Sequence, residues 1–188
     1  AFRKKGLEVL SLDEPVDEWV VNSLQSFSDK ELQAVDAADI DLSDEDVQLE
    51  GVGDDDKADR IELIDFLKKQ LEERVSDVVE SKRLSDSPCV LVTAQGGMSN
   101  NMERLMKMAD RQFEGSKRVL EINPNHTIVK NIAALLKKHR EAERLGDWAH
   151  LLVDYVLLGE GKVEDPQRVT RTLQGIMEIA SSRHAEGV

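Results

Sequence analysis

The chain has 188 residues, of which 40% are hydrophobic but only 4% aromatic, and it carries a formal net charge of -13. That length holds one or two domains whose core must rest on Leu, Ile, Val and Met, and no apolar run approaches the ~18 residues of a membrane span. So acidic a chain is repelled by nucleic acid and by anionic membrane, so neither is an expected partner.

No signal peptide is visible at the start. The first residues read as the end of a helix, which makes the chain an expected piece of a longer protein. Leu7-Glu8-Val9-Leu10-Ser11-Leu12 alternates as a half-buried strand does. Pro15 suits the first turn of a helix carrying Val16, Trp19, Val20, Ser23, Leu24 and Phe27 on one side. Leu32 to Val35 can form a returning strand. About 35 residues are too few to close a core alone, so 1–35 is expected to be the tail of an α/β domain.

Residues 36–56 hold ten acidic side chains and no Lys or Arg, a composition that reads as a solvated linker. Asp41, Asp44, Asp46 and Asp54-Asp55-Asp56 offer oxygen ligands. The spacing lacks the Asp-x-Asp-x-Asp-Gly loop closed by a Glu, so no calcium site is expected.

A second domain is expected over 57–188. Ile61, Ile64, Leu67 or Lys68, Leu71 and Val75 make a helical stripe over 57–74. Strands are expected around 76–82 and 88–93, joined by the turn-rich Ser85-Asp86-Ser87-Pro88. Cys89, the one cysteine, cannot form an intrachain disulfide. It sits in an apolar run as a small buried hydrophobe, consistent with a reducing compartment.

Four of the five methionines then fall between positions 98 and 108. Asn100 with Glu103 makes a capping-box pattern. Met98, Met102, Leu105, Met106, Ala109 and Phe113 follow at helical spacing as one stripe. Such a stripe either fills an irregular core or makes an adaptable binding surface, because methionine is flexible and polarizable. Val119-Leu120-Glu121-Ile122 reads as a third strand. Asn123 and Pro124 are expected to open a helix whose face holds Ile128, Ile132, Leu135, Leu136 and His139.

Gly146-Asp147 and Asp165-Pro166 open the last two helices. The first is apolar nearly all round, with His150 and Asp154 its polar exceptions between Trp148 and Leu158. Trp148, Leu151, Leu152, Tyr155 and Leu158 form its main stripe. Val169, Leu173, Ile176, Met177 and Ala180 form a narrower seam on the second. Two such helices have more apolar face than a small three-stranded sheet can cover. Pairing with the same helices of a second copy would make a four-helix bundle.

No catalytic arrangement stands out. His126, His139, His150 and His184 lack metal-spaced neighbours such as His-Glu-x-x-His. Gly96-Gly97 precedes a helix, but the Walker lysine and a Gly-x-Gly-x-x-Gly run are absent, so a tight turn is the better reading.

Three ordered motifs resemble the C-terminal domain of the 90-kDa heat-shock protein chaperone family. They are Arg83-Leu84-Ser85-Asp86-Ser87-Pro88-Cys89, then Met98-Ser99-Asn100-Asn101-Met102-Glu103-Arg104-Leu105-Met106, then Leu120-Glu121-Ile122-Asn123-Pro124-Asn125-His126. Leu157-Leu158 and Val163-Glu164-Asp165-Pro166 resemble the hinge between that family's last two helices. Gly6-Leu7-Glu8-Val9-Leu10 and Asp17-Glu18-Trp19-Val20 resemble the end of its middle domain.

The resemblance implies a mixed α/β fold: the end of a middle-domain α/β subdomain, then a C-terminal domain that dimerises through a four-helix bundle. It implies the dimerisation and client-binding region of an ATP-driven chaperone, with ATP and magnesium bound upstream. This fragment would then hold no cofactor or metal and catalyse nothing. By resemblance, Met98, Leu105 and Met106 face clients, as do Glu18 and Trp19 on a second patch. Met102, Ala109 and Phe113 are then left to anchor the helix. The chain ends Ser182-Arg183-His184-Ala185-Glu186-Gly187-Val188, not in the Met-Glu-Glu-Val-Asp that recruits tetratricopeptide co-chaperones. Such partners are therefore not expected, and a bacterial, cytoplasmic member or an organellar relative is. The competing readings are a purely structural homodimerisation domain, with its methionines in the core, and an enzyme using Gly96-Gly97 or the acidic loops.

Overall fold

The computed structural model describes residues 6–12, 14–24, 26–35, 54–94, 100–110, 115–139, 144–163 and 165–185. Residues 7–12 are exposed and form no strand, although they alternate. A strand needs a ladder with a neighbouring strand, and neither sheet among the described residues includes 7–12. Helix α1 (Pro15–Leu24) follows. Asp17 reaches back across its first turn, its Oδ2 accepting from the Glu14 N–H at 3.0 Å, which satisfies one of the free donors of a helix start.

Strand β1 (Ser26–Phe27) pairs antiparallel with β2 (Lys30–Glu31). Ser28 and Asp29 between them both have positive φ, 51° and 62°, as a two-residue hairpin turn of matching twist requires. The returning strand expected over 32–35 is absent; the short hairpin takes its place.

Helix α2 (Asp54–Leu71) is the first element of the main core. It buries Leu63, Leu67 and Leu71, with Val75 just beyond, while Ile61 stays 62% exposed. Strand β3 (Asp77–Glu80) and strand β4 (Cys89–Val92) come next. Helix α3 (Asn100–Ala109) carries the methionines. Strand β5 (Val119–Ile122) then enters between the first two, parallel to β3 and antiparallel to β4. A central strand is covered on both faces, and all four residues of β5 are buried.

Glu121 is therefore a carboxylate inside the sheet, and the sequence supplies its partner. Arg83 grips it through Nε (2.9 Å) and Nη2 (2.8 Å), and Ser81 Oγ donates at 2.8 Å. The third Arg83 donor, Nη1, reaches the Val35 carbonyl at 3.0 Å, which ties the hairpin segment to the sheet.

Helix α4 (Thr127–Lys138) starts later than expected, with His126 as its N-cap. Asn123 instead brackets the turn before it. Its N–H donates to Pro88 O (2.8 Å), its Nδ2 to Ser85 O and Ser87 O (3.3 and 3.2 Å), and its Oδ1 accepts from Asn125 N (3.0 Å). The buried face of α4 is Val129, Ile132 and Leu136, whereas Ile128 and Leu135 face outward.

Helix α5 (Leu145–Gly159) crosses the core and buries Leu145, Ala149, Leu152, Val153 and Leu157. It packs on β4 and α2. Gly161, with φ 69°, closes it. Gly161 N donates to Leu158 O at 3.1 Å and Lys162 N to Leu157 O at 2.8 Å, the paired bonds of a glycine-terminated helix. Helix α6 (Pro166–Ala185) starts with Pro166 and is capped by Asp165, whose Oδ1 accepts from Arg168 N at 2.9 Å, as the Asp-Pro pair predicts.

Candidate functional site

The groups with the best prospect of covalent chemistry are occupied structurally. Cys89 is buried, its thiol donates to Leu152 O at 3.3 Å, and burial pushes its pKa up to about 12. A thiol so raised is not a nucleophile near neutral pH. His126 Nδ1 accepts from Ile128 N at 3.2 Å. Desolvation, then the charges of Arg74 and Arg168, hold His150 below the usual imidazole range. Among the described residues no cluster of His, Cys, Asp and Glu is arranged to hold a metal ion. Gly96, Gly97 and the acidic residues from 36 to 53 lie outside the described residues.

Among the exposed apolar side chains two groups bear on the surfaces expected from the sequence. The first combines α1 and α3, which approach each other. Trp19 is 61% exposed, with Val16 and Val20 beside it, and α3 offers Met106 and Met108, the latter 76% exposed. Leu105 and Met102 are half-buried. Of the other residues named for this surface, Met98 and the Glu18 side chain lie outside the described residues, as does Phe113. Ala109, expected to anchor the helix, is exposed. Met108, by contrast, was not singled out by periodicity, because it lies to one side of the stripe defined by Met98, Met102 and Leu105. Glu103 joins α3 to the segment leading into β5: its Oε1 accepts from Ser116 N at 2.9 Å and from Ser116 Oγ at 2.5 Å.

The second place is the outer side of α5 and α6. Tyr155, Leu158, Leu173 and Met177 are exposed there, Ala180 with them, while Trp148, Leu151 and Ile176 are half-buried. Two residues expected on this face are not available to it. Leu152 and Val169 are 4% and 5% exposed, because α5 turns Leu152 toward β4 and α6 turns Val169 toward α5. Between the helices runs a groove of about 360 Å³ with Trp148, Ile176 and Ile179 on its apolar side and Arg144, Arg168 and Arg171 on its polar side.

Beneath that groove lies a buried charge. Asp154 Oδ1 accepts from Arg74 Nη2 at 2.8 Å and from Arg168 Nη2 at 2.7 Å, with the Asp154 side chain 3% exposed. Arg74 Nη1 also donates to His150 O at 3.2 Å.

The described residues form a small mixed sheet under helices, with exposed apolar surface on α1, α3, α5 and α6. The Hsp90 protein family model matches residues 1–187, and the chain belongs to the Hsp90 family. It is 41% identical to Chaperone protein HtpG of Geobacter sulfurreducens over 99% of this chain and 29% of that protein. It is 39% identical to the Geobacter metallireducens protein of the same name, again over 99% of this chain and 29% of that one. The HtpG of Methylococcus capsulatus is 40% identical over 94% of this chain and 28% of its own length. The chain thus spans under a third of the curated relatives it matches. No helix among the described residues is long and apolar enough to cross a membrane.

Proposed function

We propose that this chain is the dimerisation and client-binding region of an ATP-dependent chaperone of bacterial HtpG type, acting in the cytoplasm. Residues 1–35 end its middle domain, 36–56 link, and 57–188 dimerise. ATP and magnesium belong to the part of the protein upstream. The observation that carries the reading is the exposed apolar side of the paired helices α5 and α6, where Tyr155, Leu158, Leu173 and Met177 are each at least 40% exposed. Each such side chain adds roughly 1.5–3 kcal/mol when fully buried, so a second copy seated on this face supports a stable homodimer after association costs. The α1–α3 surface then takes apolar segments of partly folded proteins through Met106, Met108, Leu105 and Trp19, and dimerisation brings two such surfaces together.

Light scattering should give the mass of two chains at micromolar concentration and of one chain for Leu173→Asp. A wild-type mass of one chain refutes the dimer. Met106→Ser with Met108→Ser should leave the mass and melting temperature unchanged while weakening binding to an unfolded model protein several-fold. The half-burial of Met102 and Leu105 favours a second reading, a purely structural homodimerisation domain. Unaltered binding in that double variant would establish it.

A further inference from the structure

Helix α6 is long and lightly held. Among its described side chains Val169 is the one that is buried, and its packing is on α5. Twenty residues make a rod of about 30 Å, so a tilt of about 5° at its base moves its far end by about 2.5 Å. The position of the far end of α6 relative to α5 is therefore decided near Val169. Local capping does not decide it. Gly161 and Asp165 fix where each helix ends and begins, not the angle between them. Helix α5 is itself anchored at its end, where Arg118 holds Glu160 through Nη1 (2.7 Å) and Nη2 (3.1 Å).

Among the described residues, the side-chain bond across the α5–α6 helical hairpin is Arg168 to Asp154. Asp154 receives Arg168 from the first turn of α6 and Arg74 from the turn after α2 on the same oxygen, Oδ1, while its Oδ2 is buried without a hydrogen-bond partner. Two guanidinium groups on one buried carboxylate are a poor way to gain stability. A well-packed apolar trio of similar volume commonly does as well or better. Directional bonds do what an apolar trio cannot, which is to hold one geometry.

We infer that Asp154, with Arg74 and Arg168, is a positioning site that sets the angle of α6 on α5 and so shapes the face that receives a second copy of this chain. The inference rests on the dimer reading above, and the test separates the two. Asp154→Asn is a hazardous variant because it removes the carboxylate charge from Arg74 and Arg168 at once. Arg168→Gln keeps the Asp154–Arg74 pair and removes only the bond across the hairpin. Spin labels at Lys130→Cys and Ser181→Cys in the full 188-residue chain, diluted with unlabelled chain, report the α4–α6 separation within one chain. Arg168→Gln should broaden or shift that separation and raise the dimer dissociation constant at least tenfold, with the melting temperature lowered by only a few degrees. An unchanged separation overturns the inference, and so does a changed separation with unchanged dimer affinity. A wild-type chain that is monomeric, with a separation that still responds to Arg168→Gln, overturns the dimer reading and leaves the positioning role standing.

Discussion

Arg83 and Glu121 carry opposite charges with only 6% of each side chain exposed. Neither is tolerable there alone, because an unpaired charge in the interior has no solvent to stabilise it. Arg83→Met should therefore lower stability by about 3–5 kcal/mol, read as a fall in the urea midpoint at fixed chain concentration. Arg83→Met combined with Glu121→Leu should recover most of that loss, since the double change removes both charges. If the double variant is as unstable as the single, the pair is not what Arg83 contributes. The Arg83 bond to Val35 O would then be the larger part. The sequence shows Arg83 and Glu121 only as members of two separate motifs. That one closes on the other follows from β5 entering the sheet beside β3, which no spacing between positions 83 and 121 reveals. Asp154 is a similar case. It stands out as a polar residue in an apolar helix, but Arg74 lies 80 positions away, and only the packing of α2 on α5 brings them together.

The elements legible from sequence were those with local reasons to exist. Strand β5 is a four-residue run of three apolar side chains and Glu121 between polar flanks; α5 is apolar nearly all round; α6 begins at an Asp-Pro pair. Helix faces were harder to read. On α4 two stripes one residue apart, Ile128 and Leu135 against Val129, Ile132 and Leu136, satisfy the same 3.6-residue period, and the packing of α4 on α2 and α5 chooses between them. The 7–12 segment fails in the other direction, since its alternation is real but neither sheet among the described residues takes it in. Helix α3 has the pattern of a buried helix and two methionines in the open. Its Glu103 carboxylate sits on Gly115 and Ser116 so closely that a Cβ at Gly115 would lie 2.8 Å from Glu103 Oε2. Gly115→Ala must push that carboxylate off its seat, and Glu103→Gln replaces a charged acceptor by a weaker one. Either change should speed amide exchange over residues 102–110 several-fold without altering that of β5. Equal exchange in variant and wild type would mean that α3 is held by its contact with α1 instead.

For the whole molecule the governing quantity is charge. Each chain carries -13, so bringing two together opposes apolar association with a long-range repulsion that salt screens, with a Debye length of about 10 Å at 0.1 M and about 3 Å at 1 M. The face proposed to meet the second copy is apolar at Leu158, Leu173 and Met177. The buried ion pair beneath it, Asp154 with Arg74 and Arg168, lies within one chain, where screening reaches little. Raising the salt concentration should therefore tighten the dimer, because it weakens the repulsion between chains and leaves the attraction in place. Sedimentation equilibrium between 50 mM and 500 mM sodium chloride should show the dissociation constant falling by a few-fold. A rise over that range would mean that ion pairs between the chains dominate, with Arg144 and Arg171 along the α5–α6 groove as their first candidates. That outcome would move the main contact away from the apolar face and toward the arginine side of the groove. The sign of the salt dependence thus decides which side of α5 and α6 a second copy covers.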